Sequence, residues 1–347
     1  MTDRFDPLAT SELITSGYRR YLRSLLPVRE PRLAAALDHE ITDGSTMLTK
    51  GPLLEATPPY LPGRTLAELV GEGVLSPALR KLNSAALPFG RPLHAHQEQA
   101  IRKVTAGRNV IVATGTGSGK TESFLLPILN ELSAERARGE LGPGVRALLL
   151  YPMNALANDQ MKRLRSILAT APHITFGRYV GDTKEGDRPA AEAFARLNPG
   201  EPMLANELLS RQAMRANPPH LLLTNYAMLE YLLLRPADMD LFEGDHAGRW
   251  RFLVLDEAHV YDGAKAAEVA MLIRRLRDRV ALGRPLRYIA TSATVGDNPA
   301  AVTEFAQRIF DAPFEWVEGE PSRQDLVRAS RIDLPKPPFW GPLDPAS

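Results

Sequence analysis

The stretch ATGTGSGKTESF, at residues 113–124, places three glycines directly before a lysine and a threonine. Glycines leave the backbone free to turn tightly and to point several N–H groups at one spot, and such a concavity binds phosphate. A helical pattern follows, so the positive end of its dipole would add to the attraction. The pattern therefore predicts a phosphate-binding loop whose contact residues are Thr116, Gly117, Ser118, Gly119, Lys120 and Thr121.

This loop matches the P-loop pattern at its Gly-Lys-Thr end but has Thr114 where the pattern begins with glycine. In a P-loop, Lys120 would reach the β and γ phosphates of ATP, and the hydroxyl of Thr121 would bind Mg²⁺. The alternative is a glycine-rich turn that only joins a strand to a helix. The apolar strand before the loop and the helix after it favour the P-loop.

The tetrapeptide DEAH at residues 256–259 follows the apolar run FLVL. At the end of a strand, Asp256 could hold Mg²⁺ through water, and Glu257 could orient or deprotonate an attacking water molecule. By itself, an Asp-Glu pair is often a helix cap with an acidic first turn. Behind a P-loop it indicates a hydrolytic site with Lys120, Asp256, Glu257 and His259 as catalytic residues.

A third polar element, TSAT at residues 291–294, also ends an apolar run. Its hydroxyl groups could hydrogen-bond to His259 or to the acidic pair and so relay the state of the phosphate to a nucleic-acid site. We expect Ser292 and Thr294 to have this coupling role. The alternative is that they only form a turn, as serine and threonine often do at strand ends.

Composition sets limits on the class of protein. The 347 residues carry a formal net charge of +1, so contact with a polyanion would have to come from local patches. The chain has no cysteine, which excludes disulfides, thiol nucleophiles and cysteine-ligated metals. We find no apolar leader at the N-terminus and no apolar run long enough to cross a bilayer, so we expect a cytoplasmic protein without membrane contacts.

The elements around these motifs predict an α/β fold. Nearly all of six candidate strands are continuous apolar runs rather than alternating ones, which indicates strands buried on both faces of a parallel sheet with helices on both sides. We expect a P-loop, RecA-like domain at residues 91–312, a mainly helical accessory region at residues 1–90, and a proline-rich tail or linker at residues 313–347. The predicted strands are 109–114, 147–152, 174–180, 221–225, 252–257 and 287–294.

Seven motifs occur in a fixed order between about residues 91 and 312: HQEQAI, TGTGSGKTE, YPMNALANDQ, VGDT, TNYAMLEYLL, VLDEAH and TSAT. The series resembles the first RecA-like motor domain of a superfamily 2 DEAD/DEAH-box helicase. The wording of YPMNALANDQ and TNYAMLEYLLLRP is similar to the large bacterial helicases of the YprA type, which are associated with DNA rather than RNA.

The resemblance implies further roles, residue by residue. Gln97 takes the position of a glutamine that reads the adenine edge, whereas the alternative is a surface glutamine on a helix. Five residues fall in segments that, in the family, lie against the sugar–phosphate backbone of a single strand, and each has an alternative as a loop former. They are Pro152, Asn154, Gly181, Thr224 and Asn225.

The expected function is that of the ATP-binding motor lobe of a DNA helicase or translocase, in DNA repair or defence, with ATP and Mg²⁺ as cofactors. An arginine-finger motif of the QxxGRxGR kind is absent from the sequence, so we expect a second RecA-like lobe from a missing C-terminal part or from another chain. The alternatives are an RNA helicase lobe and a nucleotide-gated nucleic-acid-binding module that does not hydrolyse ATP.

Overall fold

The structure, a computed structural model, describes residues 6–25, 27–42, 57–115, 117–281, 285–293, 296 and 298–333. The chain divides into two compact units, at residues 1–58 and 59–347. The described part of the first unit contains helices α1 (Pro7–Leu25) and α2 (Pro31–Thr42). Arg19 donates a hydrogen bond of 3.1 Å to the carbonyl oxygen of Thr42, and Arg23 pairs with Asp38. The helical character expected near the N-terminus is therefore confirmed for these residues.

The second unit holds the sheet. Its strands are β1 (Pro62–Thr65), β2 (Pro92–His94), β3 (Val110–Ala113), β4 (Ala147–Tyr151), β5 (Phe176–Arg178), β6 (Glu207–Leu208), β7 (Leu221–Asn225), β8 (Phe252–Leu255), β9 (Arg287–Ser292) and β10 (Leu326–Arg328). Its helices are α3 (Leu66–Gly71), α4 (Ala95–Thr105), α5 (Lys120–Ala137), α6 (Asn154–Leu168), α7 (Asp187–Leu197), α8 (Arg211–Ala216), α9 (Tyr226–Leu234), α10 (Gly263–Val280) and α11 (Pro299–Phe310).

Eight strands form one parallel sheet in the order β10-β3-β9-β8-β4-β7-β5-β6, and β1 pairs with β2 in an antiparallel ribbon. All six strands predicted from the sequence are present, although β5 covers only the middle of its predicted range. Helices and loops connect the strands. Residues at the carboxyl ends of neighbouring strands meet at one edge of the sheet, where open α/β sheets bind ligands.

Both faces of the sheet are covered, as the continuous apolar runs predicted. Successive residues of a strand point to opposite faces, and on β3 they enter two different cores: Val110 and Val112 pack with α3 to α6, and Ile111 and Ala113 pack with α9 to α11. One face of α10 is buried against the sheet, including Leu272 and Ile273. Among the described residues no helix is both long and apolar enough to cross a membrane.

The segment after residue 312 corrects one expectation. Its proline content predicted a linker or an unpacked end, yet β10 extends the sheet in parallel register beside β3. Phe314, Leu326 and Val327 are buried, and the buried carboxylate of Asp325 accepts a hydrogen bond of 2.7 Å from Arg108. The linker prediction is wrong for residues 313–333, because a three-residue strand is too short to stand out among prolines. Residues 334–347 of the predicted tail lie outside the described residues.

Residues 59–90 were assigned by sequence to the accessory region, but by packing they belong to the unit that contains the sheet. Leu66 and Leu69 of α3, and Leu79 and Leu82 of the following 3₁₀ helix (Pro77–Leu82), join the core formed with α4 and α5. This segment therefore supports α4, whose first turn contacts the phosphate loop.

Candidate functional site

The order of the strands divides the sheet edge into two halves. The phosphate loop, the DEAH segment and TSAT follow β3, β8 and β9, which are neighbours on one side of the sheet. The segments that contain Asn154, Gly181 and Asn225 follow β4, β5 and β7, which are neighbours on the other side. The fold therefore brings the predicted nucleotide residues together and places the predicted nucleic-acid residues beside them on the same edge.

Two glycines of the phosphate loop adopt left-handed backbone conformations, with φ of +75° at Gly117 and +73° at Gly119. A side chain is unfavourable at such angles, so the loop geometry requires glycine at both positions. Gly119 also caps the N-terminus of α5, and a Cβ atom there would lie 2.3 Å from Nε2 of Gln97. The curved backbone ahead of a long helix is the arrangement that binds phosphate oxygens.

Thr114, which replaces the first glycine of the pattern, is accommodated within the loop. Its hydroxyl hydrogen-bonds to the hydroxyl of Ser118, and both side chains are buried. His96 lies on the other side, with Nε2 at 3.0 Å from the carbonyl oxygen of Ser118. Burial lowers the pKa of His96, which favours a neutral ring that donates from this nitrogen. Thr114 and His96 thus fix the loop from two sides.

Gln97 is held against the loop by both ends of its amide. Nε2 donates to the carbonyl oxygen of Gly119 at 2.9 Å, and Oε1 accepts from the backbone N–H of His94 at 2.8 Å. The adenine role predicted for Gln97 stays a prediction. In this structure its amide positions the phosphate loop, and recognition of a base would require Gln97 to give up one of these two contacts.

The acidic residues of the DEAH segment face the loop. Lys120 pairs with Glu257 at 3.0 Å, and both side chains are largely shielded from solvent. Asp256 is 8% exposed, and burial raises the pKa of its carboxyl group, while a hydrogen bond from the Thr291 hydroxyl opposes that rise. A buried carboxylate with a raised pKa is stabilised when a cation binds beside it.

Glu257 has a strained backbone. Its φ is +50°, in the left-handed region that residues other than glycine rarely occupy. Such strain is stored where the surrounding structure determines the position of a side chain. Here it turns the carboxylate back towards Lys120, with the other oxygen 3.4 Å from Nδ1 of His259. His259 Nδ1 accepts a hydrogen bond of 3.5 Å from the backbone N–H of Ala293, so His259 connects the DEAH segment with TSAT.

Within TSAT, the hydroxyl that contacts the acidic pair belongs to Thr291. It donates to Asp256 and accepts from the backbone N–H of Glu257 at 3.1 Å. Ser292, one of the two predicted coupling residues, accepts a hydrogen bond from the backbone N–H of Thr114 through its carbonyl oxygen, at 3.0 Å. Thr294, the other, lies outside the described residues, as does Thr116 of the loop.

The predicted magnesium ligand Thr121 lies in the first turn of α5. Its hydroxyl accepts a hydrogen bond of 3.2 Å from Nε2 of Gln160 on α6, and the next residue, Glu122, pairs with Arg163 on the same helix. Sequence reasoning missed Gln160, Arg163, Thr291 and His96. The motifs YPMNALANDQ and TSAT contain Gln160 and Thr291, but no spacing within either motif indicates which side chain contacts the loop.

Three of the predicted nucleic-acid residues, Asn154, Gly181 and Asn225, are accessible at this edge of the sheet, and we call them the polar strip. Asn225 donates a hydrogen bond of 2.8 Å to Asn154, and Arg211 donates one of 3.0 Å to the carbonyl oxygen of Gly181. Gly181 itself is exposed at the turn. Pro152 precedes α6 and is half-buried. Thr224 is fully buried and donates to the carbonyl oxygen of Tyr179 at 2.6 Å. We therefore assign Thr224 to positioning, and the contacts of the others stay predictions.

These residues fit a magnesium nucleotide. The left-handed glycines leave the loop without side chains that would fill the cradle, and Lys120 supplies a cation next to it. The buried Asp256 and the hydroxyl of Thr121 are oxygen ligands of the kind that Mg²⁺ prefers.

The profile of the DEAD/DEAH box helicase family matches residues 94–302, which contain both halves of the sheet edge. The chain belongs to the DEAD/DEAH box helicase family. It is 31% identical over 386 aligned positions to the Druantia protein DruE of Escherichia coli strain UMEA 4076-1, covering 85% of this chain and 21% of that protein.

Other members of the family are similar over the same region. The chain is 31% identical to the ATP-dependent helicase YprA of Bacillus subtilis, covering 66% of this chain and 26% of YprA, which confirms the resemblance to helicases of the YprA type. The structure of the DUF1998 helicase MrfA bound to DNA superposes with a TM-score of 0.55 at 26% identity, covering 79% of this chain and 29% of MrfA. The chain thus spans about a quarter of the length of these relatives.

Proposed function

We propose that this chain is the ATP-hydrolysing motor lobe of a DNA helicase or translocase, with Mg²⁺ as the metal and a cytoplasmic location. The observation that carries the proposal is the ion pair of Lys120 with Glu257 beside the buried Asp256, at the mouth of a left-handed glycine loop. The family, whose relatives include ATP-dependent helicases and a helicase solved with DNA, supports DNA as the nucleic acid. DNA repair or defence stays the expected setting.

Each residue of the site has a chemical task in this function. When bound, ATP with Mg²⁺ supplies the phosphoanhydride bond that is cleaved and the metal charge that stabilises the transition state. Lys120 would exchange Glu257 for phosphate oxygens, and Asp256 and Thr121 would hold the metal. Glu257, released from Lys120, then has a free carboxylate oxygen to orient and deprotonate water.

Thr291 and His259 connect this chemistry to the neighbouring strands. Thr291 hydrogen-bonds to both acidic residues, and His259 accepts a hydrogen bond from the backbone N–H of Ala293 while lying 3.4 Å from Glu257. A change in the position of Glu257 is therefore transmitted to the end of β9. We propose that a second RecA-like lobe completes the site, which is supported by the small share of the relatives' length that this chain spans.

The test is ATP turnover by the 347-residue chain, with and without single-stranded DNA or RNA, and with nucleotide binding followed in the same samples. Lys120→Ala should abolish binding, whereas Lys81→Ala, an exposed lysine elsewhere on the same unit, should not. DNA-stimulated turnover that depends on Lys120 supports the proposal. Better stimulation by RNA would favour an RNA helicase lobe, and Lys120-dependent binding without turnover, even with a second lobe supplied, would favour a non-hydrolysing module.

A further inference from the structure

A cavity of about 590 Å³ opens at the edge of the sheet that is remote from the phosphate loop. Its walls are α6, the loop after β5, α7 and strand β6. We call it the α6–α7 cavity. Its volume lies in the range of pockets that bind ligands, and neither the nucleotide site nor the strip of predicted nucleic-acid residues includes it.

The charged side chains that line this cavity are mostly basic, five against three acidic ones. Arg165 is neutralised by Glu207, with N–O distances of 2.7 and 2.9 Å, and Arg178 contacts Asp182 at 3.4 Å. Three further basic residues line the rim and are exposed: Lys162, Lys184 and Arg196. Their side chains make no ion pair or hydrogen bond with any residue that the structure describes, whereas Asp159 is the one described lining carboxylate without an ion pair. The rim therefore has an excess of two positive charges available to a ligand.

The cavity is continuous with the predicted nucleic-acid strip. Asn154, Asn158 and Lys162 are spaced four residues apart on α6, so they lie on one face of the helix. The eight residue-to-residue steps from Asn154 to Lys162 correspond to about 12 Å along the helix axis. On the opposite wall, Asp182, Thr183 and Lys184 follow Gly181 directly. A nucleic-acid strand that contacts Asn154 and Gly181 would therefore reach the cavity if it continued in the same direction.

The inner wall is apolar and includes Ala190, Phe194 and Leu208, whereas Leu197 is exposed at the rim. Phe194 is held in place by the guanidinium of Arg165, 4.8 Å above its ring. A nucleotide combines an anionic phosphate with a base whose faces are largely apolar, which matches a basic rim around an apolar wall. The arrangement therefore suits a nucleic-acid strand with unstacked bases better than a simple anion.

We propose that the α6–α7 cavity is a second binding site for single-stranded nucleic acid, in which Lys162, Lys184 and Arg196 neutralise backbone phosphates beyond the strip formed by Asn154, Gly181 and Asn225. This inference rests on the proposed function, since it extends the path of the same strand. It predicts that long strands bind more tightly than short ones and that part of this difference depends on salt.

The test compares two triple variants that each remove three positive charges. The cavity variant is Lys162→Gln, Lys184→Gln, Arg196→Gln, and the control variant is Arg80→Gln, Lys81→Gln, Arg275→Gln, whose residues are exposed on other parts of the unit. Binding of labelled single-stranded DNA of ~4 and ~12 nucleotides is measured by fluorescence anisotropy at several salt concentrations. Thermal unfolding of each variant shows whether the fold is kept.

We expect the cavity variant to bind the long strand about tenfold more weakly than the control variant, since three exposed ion pairs each contribute a few-fold. The slope of log K against the logarithm of the salt concentration should become shallower by about 2, because three phosphate contacts on a single strand are lost. Binding of the short strand should change equally in both variants. Equal affinities and equal salt slopes for the long strand would overturn the cavity site and leave the proposed function standing.

A second measurement needs no substitution. Acylation of lysines in the unaltered chain, read by mass spectrometry, should decrease at Lys162 and Lys184 when the long strand is bound and stay constant at Lys81. Unchanged labelling at Lys162 and Lys184 under saturating DNA would reject the cavity site. A chain that binds neither DNA nor RNA in the anisotropy assay would refute both the cavity site and the nucleic-acid part of the proposed function.

Discussion

Replacing Gly119 with alanine tests whether contact with Gln97 shapes the phosphate loop. The new Cβ would lie 2.3 Å from Gln97 Nε2, too close for two non-bonded atoms, at a residue whose φ is +73°. Because the backbone of the loop starts α5, the side chain of Gln97 is the part that can move. It would then lose its hydrogen bond of 2.9 Å to the carbonyl oxygen of Gly119.

The expected cost has two parts. A left-handed conformation costs an alanine about 1–2 kcal/mol, and leaving a buried amide without its partner costs about 1–3 kcal/mol. Gly119→Ala should therefore lower the free energy of unfolding by about 2–5 kcal/mol. Gly117→Ala is the matched control, because its φ of +75° is nearly the same but a Cβ there meets no atom within 4 Å. Only the first part, about 1–2 kcal/mol, applies to it.

The assay is urea unfolding followed by tryptophan fluorescence, which reports on the sheet unit through the buried Trp250. A double-mutant cycle with Gln97→Ala isolates the contact. In the Gln97→Ala background, Gly119→Ala should cost no more than Gly117→Ala. Two results would show that the contact with Gln97 does not restrain the loop. One is that Gly119→Ala and Gly117→Ala lower the free energy of unfolding equally when Gln97 is present. The other is that the effect of Gly119→Ala is the same in the Gln97→Ala background.

Two other predictions concern buried polar groups. His220 accepts a hydrogen bond of 2.9 Å from the backbone N–H of Thr175, and burial lowers its pKa from 6.5 to about 4. Between these two pH values the unfolded chain therefore binds more protons than the folded chain. The free energy of unfolding should fall by about 3 kcal/mol as the pH drops from about 6.5 to about 4. Urea unfolding across this range should give a flatter profile for His220→Gln, and an unchanged profile would exclude this histidine as the cause. Thr291→Val removes the hydroxyl between Asp256 and Glu257 and should slow ATP turnover by about 10- to 100-fold with nucleotide binding retained. Equal turnover in the variant and the unaltered chain would contradict the positioning role.

Local patterns were sufficient for the parts of the fold that depend on neighbouring residues. A continuous apolar run such as Leu221–Leu223 must be buried on both faces wherever it lies, so the parallel sheet could be predicted from single segments. The glycines around Lys120 likewise predict a phosphate loop from their own backbone freedom. The order of the strands, the packing of residues 59–90 and the strand β10 could not be predicted in this way.

The sequence by itself determined which residues carry chemistry, because residue type and spacing along one segment are local properties. Only the tertiary structure decided which of them meet. Lys120 and Glu257 are 137 positions apart in the chain, and Thr291 reaches Asp256 because the register of β8 and β9 places Leu255 opposite Ala290. A shift of that register by one residue would turn Thr291 to the other face. The α6–α7 cavity is decided in the same way, since its basic rim is assembled from segments that no single motif joins.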